Sequence, residues 1–178
     1  MQRQAISAHS PIIGIAGWKN SGKTTLVTRL VAEMTGRGLS VATIKHAHHA
    51  FQIDDKDTDS ARHRRAGARQ VAVVSSERTA IVTELKGAGE PEFAEVIAMI
   101  GPCDLIIVEG YKTAAIPKIE ARRTQSLTRE PMAPADRNVI AIAADHQTDS
   151  AGLPLFTLDD IEGLAALITR TLGLKAGT

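Results

Sequence analysis

Gly17-Trp18-Lys19-Asn20-Ser21-Gly22-Lys23-Thr24 decides how this chain reads. It satisfies G-x-x-x-x-G-K-[ST] at every fixed position. The flanks matter as much as the match, because this pattern works only between a strand and a helix. Before it stands the apolar run Pro11-Ile12-Ile13-Gly14-Ile15-Ala16. After it, Leu26, Val27, Leu30, Val31 and Met34 recur at helical spacing until Gly36 and Gly38 supply a stop. The glycines let the loop wrap so that successive N–H groups point inward, and the helix start adds partial positive charge. Lys23 is then placed for the outer phosphates of a nucleotide and the Thr24 hydroxyl for Mg²⁺.

Working outward, further apolar runs read as strands. Val71–Val74, Leu105–Val108 and Val139–Ala143 are continuous rather than alternating, as expected of strands buried on both faces of a parallel sheet. Ser40–Ile44 is a fifth candidate, and Ala80–Glu84 a short sixth, possibly antiparallel. Glu90 and Pro91 are expected to open a helix carrying Phe93, Val96, Ile97 and Ile100 on one face. A last helix is expected near Asp159, with Glu162 as capping-box partner and a stripe of Ile161, Leu164, Leu167, Ile168 and Leu172. Residues 46–59 and 113–136 read as irregular. The alternation predicts an α/β fold: a three-layer P-loop NTPase domain over residues 1–178, its mostly parallel sheet flanked by helices.

Such a site needs an acidic group at the end of a neighbouring strand. Asp104-Leu105-Ile106-Ile107-Val108-Glu109-Gly110 supplies Glu109 where a buried strand emerges, so Lys23 and Glu109 are the candidate catalytic pair and Thr24 and Glu109 the candidate Mg²⁺ ligands. Asp145 ends the late run from Asn138. A carboxylate there accepts both guanine N1–H and N2–H₂, a donor pair that adenine lacks. The Asn-Lys or Thr-Lys that usually precedes such an Asp is replaced by Ile142-Ala143-Ala144.

Composition sets the outer limits. The 178 residues suit one domain, and 21 Lys plus Arg against 20 Asp plus Glu leave a formal charge of +1. That balance, with aromatics at 3%, speaks against nucleic acid or a membrane surface as partner. The lone Cys103 excludes an internal disulfide and any multi-thiolate zinc site. No apolar run is long enough for a bilayer, and the opening MQRQAISAHSP lacks a signal-peptide pattern, so a soluble, cytoplasmic protein is expected.

Lys45-His46-Ala47-His48-His49 follows the second strand, with Asp54, Asp55, Asp57 and Asp59 behind it. The histidines lack helical i, i+4 spacing, which favours a Mg²⁺-linked or ligand-binding loop over a transition-metal site. Arg62, Arg65 and Arg69, at i, i+3 and i+7, would form one basic stripe on a helix. The stripe is either a solvated face or a clamp for an anionic ligand.

Taken together, the phosphate loop Gly17–Thr25, Ile44–His49, Asp59-Ser60 with Arg65–Ala68, Val108-Glu109-Gly110-Tyr111-Lys112, Pro117–Glu120 and the strand ending at Asp145 resemble the MobB family. This is the family of molybdopterin-guanine dinucleotide biosynthesis protein B. Where the family carries Gly-Lys before Asp-Ser, this chain has Asp57-Thr58. The resemblance implies a homodimeric GTP-binding protein of the SIMIBI type that needs Mg²⁺ and hydrolyses GTP slowly. Gly17, Lys19, Asn20, Ser21, Gly22, Lys23, Thr24, Thr25 and Asp145 would hold the nucleotide. It further implies an adapter role in molybdenum-cofactor maturation beside a MobA-type guanylyltransferase, with molybdopterin or its carrier as a further candidate partner. Two other functions use the same loop. A small-molecule kinase would need an arginine-bearing lid, for which Arg122, Arg123, Arg129 and Arg137 are candidates; a metal-delivery GTPase would use the histidines.

Overall fold

The computed structural model describes residues 10–47, 58–128 and 130–175. In chain order the elements are β1 (Ile12–Ala16), α1 (Lys23–Gly36), β2 (Val41–Lys45), α2 (Asp59–Arg65), β3 (Gln70–Val74), β4 (Thr79–Thr83) and α3 (Phe93–Ala98). There follow β5 (Leu105–Glu109), β6 (Lys118–Arg122), β7 (Val139–Ala144), β8 (Leu155–Thr157) and α4 (Ile161–Leu172). They divide into two compact units, Met1–His46 with Ile100–Thr178, and Ala47–Met99.

The first unit holds a six-stranded sheet in the order β2-β5-β1-β6-β7-β8, with every paired neighbour parallel. Parallel pairing demands long crossovers, and burial of both faces explains the unbroken apolar runs in β1, β5 and β7. One face carries Ile13, Ile15, Leu105, Ile107, Ile119 and Ala121, packed in one core with Leu26, Leu30 and Met34 of α1 and Leu164 and Ile168 of α4. Leu30, Leu164 and Ile168 are wholly buried, and each such side chain contributes about 1.5–3 kcal/mol. Asp160, not Asp159, caps α4, its side chain accepting from the Gly163 N–H.

The other face of β6 departs from apolar packing. Lys118, Glu120 and Arg122 alternate with Ile119 and Ala121, and all five are buried. Lys118 pairs with Asp136 at 2.5 Å. Glu120 accepts from the Met132 N–H at 2.9 Å, the Ala133 N–H at 3.1 Å and Arg122 Nη2 at 2.8 Å. The connection between β6 and β7 thus lies over this face, held by charge-assisted hydrogen bonds.

In the second unit, β3 and β4 form an antiparallel hairpin, as the sixth candidate strand suggested. The expectation that Val71–Val74 is buried on both faces is corrected. Only Val71 is buried, whereas Val73 is 48% and Val74 73% exposed, because β3 belongs to a two-stranded sheet. α3 begins at Phe93 rather than near Glu90, with Glu92 and Glu95 forming the capping box. α2 ends at Arg65, so Arg69 lies beyond it and the three-arginine helical stripe does not form.

Candidate functional site

The site grows from the carboxyl ends of parallel strands, where open α/β sheets take their ligands. β1 ends at Ala16, β2 at Lys45, β5 at Glu109 and β6 at Arg122, with Ile15 opposite Glu109 and Ala16 opposite Glu120 in the register. Register alone therefore carries the phosphate loop and Glu109 to one edge. Every residue of the site described below belongs to the first unit.

The loop conformation is dictated by two glycines. Gly17 has φ +145°, and a Cβ there would stand 2.5 Å from both the Ala121 carbonyl oxygen and Ser21 Oγ. Gly22 caps α1 from the left-handed region at φ +86°, offers no side chain to the first turn, and no acidic residue stands there. α4 is capped by Asp160, but the first N–H groups of α1 have no side-chain cap, which leaves them available to an anion. Asn20, Ser21, Gly22, Lys23, Thr24 and Thr25 line an open pocket of about 340 Å³, joined by Arg123 and Gln125. Lys19 is exposed outside that lining, its carbonyl accepting from Ser126 Oγ at 3.1 Å. Trp18 anchors the loop from behind, donating from Nε1 to the Glu130 carbonyl at 2.6 Å, while Lys112 Nζ sits 3.6 Å from its ring centroid.

Charge is concentrated here. Lys23 Nζ donates to the Trp18 carbonyl at 2.6 Å. Thr24 Oγ1 donates to Glu109 Oε1 at 2.7 Å, and Lys45 Nζ lies 3.2 Å from that same Oε1 and 3.3 Å from Thr24 Oγ1. Burial holds the Lys23 ammonium below the ordinary lysine value; Glu109 opposes that shift, and Lys112 and Lys45 add to it. Lys112 is likewise lowered by burial. Lys45 pairs with the buried Glu109 carboxylate, and Lys23 feels Glu109 together with Lys112 and Lys45, so positive charge exceeds negative at the loop. The Thr24 and Glu109 oxygens are hard donors suited to Mg²⁺, and the Lys45 ammonium on both shows that a cation fits there.

Gly110, at φ +96°, lets the chain turn so closely that a Cβ would stand 3.0 Å from His46 Cβ. Tyr111 then stacks on the His46 ring at 4.5 Å. His48, His49, Asp54, Asp55, Asp57 and Arg129 lie outside the described residues. Among the described residues, no group of three His, Cys, Asp or Glu side chains is placed to hold a metal ion. Asp145 follows β7 at the same edge but is not in the wall of the loop pocket. Its Oδ1 accepts from the Thr124 N–H at 2.8 Å and the Thr124 hydroxyl at 3.0 Å, and meets His146 Nδ1 at 2.8 Å; Oδ2 is 3.7 Å from Arg123 Nε. Burial opposes its charge, yet the hydrogen bonds from His146 and Thr124 outweigh that and hold its carboxyl below the ordinary value.

Of the four arginines weighed as a lid, Arg122 is buried, bonded to Glu120, Thr148 and the Asp149 carbonyl, so it is structural. Arg123 lines the loop pocket. Lys45 and Lys112 are the site residues that motif reading passed over. Lys45 comes beside Glu109 only through the parallel register of β2 with β5.

The fold and site define an α/β protein with a P-loop-like strand–loop–helix at the carboxyl edge of a parallel sheet. Residues 12–145 match the family described as MobB, molybdopterin guanine dinucleotide synthesis protein B, and the chain belongs to that family. It is 34% identical over 169 residues to the molybdopterin-guanine dinucleotide biosynthesis adapter protein of Escherichia coli strain K12, covering 94% of this chain and 96% of that one. It is 38% identical over 136 residues to the adapter protein of Haemophilus influenzae, covering 76% and 75%. The crystal structure of a molybdopterin-guanine biosynthesis protein B superposes with a TM-score of 0.69 at 26% identity, covering 90% of this chain and 99% of that one.

Proposed function

We propose that this chain is a GTP-binding adapter in molybdopterin-guanine dinucleotide biosynthesis, with weak Mg²⁺-dependent GTPase activity of its own. It assists a MobA-type guanylyltransferase, with molybdopterin or its carrier as a further candidate partner. The adapter names of the relatives support the role. The observation that carries the nucleotide reading is Thr24 Oγ1 on Glu109 Oε1 at 2.7 Å, at the foot of an uncapped helix ringed by Lys23, Lys45 and Lys112. Lys23 would hold the outer phosphates, with Thr24 and Glu109 the Mg²⁺; bound there, the metal supplies charge neutralisation on the phosphate oxygens. Asp145 is the proposed guanine reader. The protein is proposed to work as a cytoplasmic homodimer; among the described residues no helix is long and apolar enough to cross a membrane.

An adapter turns over slowly, well below the roughly 10 s⁻¹ median of enzymes. The test is a reconstituted conversion of molybdopterin to its guanine dinucleotide by a guanylyltransferase, with and without this chain and GTP. Stimulation with slow GTP turnover supports the adapter. Because Arg123 lines the loop pocket, a small-molecule kinase is the second reading. No stimulation, together with fast phosphoryl transfer to a small acceptor, would establish it instead.

A further inference from the structure

Lys45 ends β2 with a side chain that is 58% exposed, yet its ammonium touches both oxygens assigned above to the metal: Glu109 Oε1 at 3.2 Å and Thr24 Oγ1 at 3.3 Å. The Glu109 side chain is only 11% exposed. A carboxylate so enclosed needs a partner charge, and the ammonium in contact with it is that of Lys45. An ammonium and a divalent cation on the same carboxylate oxygen repel each other, so a metal there disfavours the Lys45 contact. Lysine is also the side chain suited to leave: a point charge on a flexible stem, here with most of its stem in water.

We propose that Lys45 is the resident cation of the metal position in the nucleotide-free protein, and that Mg²⁺ enters only as Lys45 withdraws. A nucleotide triphosphate arriving at the loop offers the departing ammonium a new anionic partner. Metal and nucleotide binding are thereby coupled through one side chain, so that free Mg²⁺ alone is held weakly. This inference rests on the reading of Thr24 and Glu109 as the metal ligands.

The experiment is a titration of nucleotide-free protein with Mn²⁺, a spectroscopically visible substitute for Mg²⁺, read by electron paramagnetic resonance. Wild type is compared with Lys45→Met and Lys45→Gln, each checked for fold by circular dichroism, so that one variant suffices if the other misfolds. Removing the ammonium is expected to tighten Mn²⁺ binding at least tenfold, and adding Glu109→Gln to the same chain is expected to erase that gain. Unchanged or weaker Mn²⁺ binding in a folded Lys45 variant overturns the proposal, as does a gain that survives Glu109→Gln. Calorimetry of wild type with Mg²⁺ and GTP runs alongside. If that complex forms while Lys45→Met binds Mn²⁺ no better, only the resident-cation proposal falls; if it does not form at all, the metal-site reading falls with it.

Discussion

At residue scale the site is governed by what cannot be substituted. Gly17 combines φ +145° with two oxygen atoms 2.5 Å from where a Cβ would stand, so Gly17→Ala forces the loop or the end of β6 to move. Strain of this kind costs on the order of 1–3 kcal/mol. Urea unfolding is expected to show that loss, together with a changed emission from Trp18, which sits in the loop; an unchanged midpoint would contradict it. Lys23→Ala leaves the fold intact and removes a charge-assisted contact of about 1.5–3 kcal/mol, lowering GTP affinity tenfold or more by calorimetry. A pH signature accompanies this. Burial, with Lys112 and Lys45 adding to it and Glu109 opposing, depresses the Lys23 ammonium before ligand binds, and phosphates would restore its charge. GTP affinity should therefore fall as pH climbs through that lowered value toward the ordinary lysine value of about 10.4. A pH-independent affinity over that window, or the same slope in Lys23→Ala, would contradict the assignment.

Among the elements, β6 tests the account of stability. Lys118 is 1% exposed on its side chain and depends on Asp136, which is 20% exposed. Asp136→Asn strips a buried ammonium of its partner, and breaking a buried pair costs about 3–5 kcal/mol, with the lower end expected because Asp136 reaches water. Burial opposes the Asp136 charge, but hydrogen bonds from Lys118 and Asn138 outweigh it and hold its carboxyl below the ordinary range. Its contribution is thus full above that range and lost as pH falls through the lowered value; the variant should show a flatter acid limb in urea titrations. A loss within about 0.5 kcal/mol would mean that Lys118 finds another partner. β6 is also where sequence reading fell short. Pro117 and the alternation Lys118-Ile119-Glu120-Ala121-Arg122 fall in the stretch read as irregular, and the groups that pair with or hydrogen-bond those charges come from Asp136, Met132, Ala133 and Thr148, which no local pattern announces. β3 misled in the opposite sense, since an apolar run reports burial only when something covers it. By contrast β1, α1 and β5 were legible because motif, period and glycine placement agreed. Glu109 was reachable by the same logic; Lys45 required the parallel register of β2 with β5.

For the whole molecule, the proposed function requires a guanine nucleotide with its phosphates on the Gly17–Thr25 loop and its base toward Asp145. Asp145 also holds the turn at Thr124 through its Oδ1, so structure and selectivity must be separated. Asp145→Asn is expected to erode base preference; if the carboxylate served the turn alone, the variant would lose stability with its nucleotide preference intact. The most direct measurement is calorimetric titration of the wild-type protein with GTP and with ATP, each in Mg²⁺, with Trp18 fluorescence as a second reporter. The account predicts that GTP binds at least tenfold tighter than ATP, a difference of about 1.4 kcal/mol, and that omitting Mg²⁺ weakens binding. Equal affinities for GTP and ATP, or binding of neither, would contradict it.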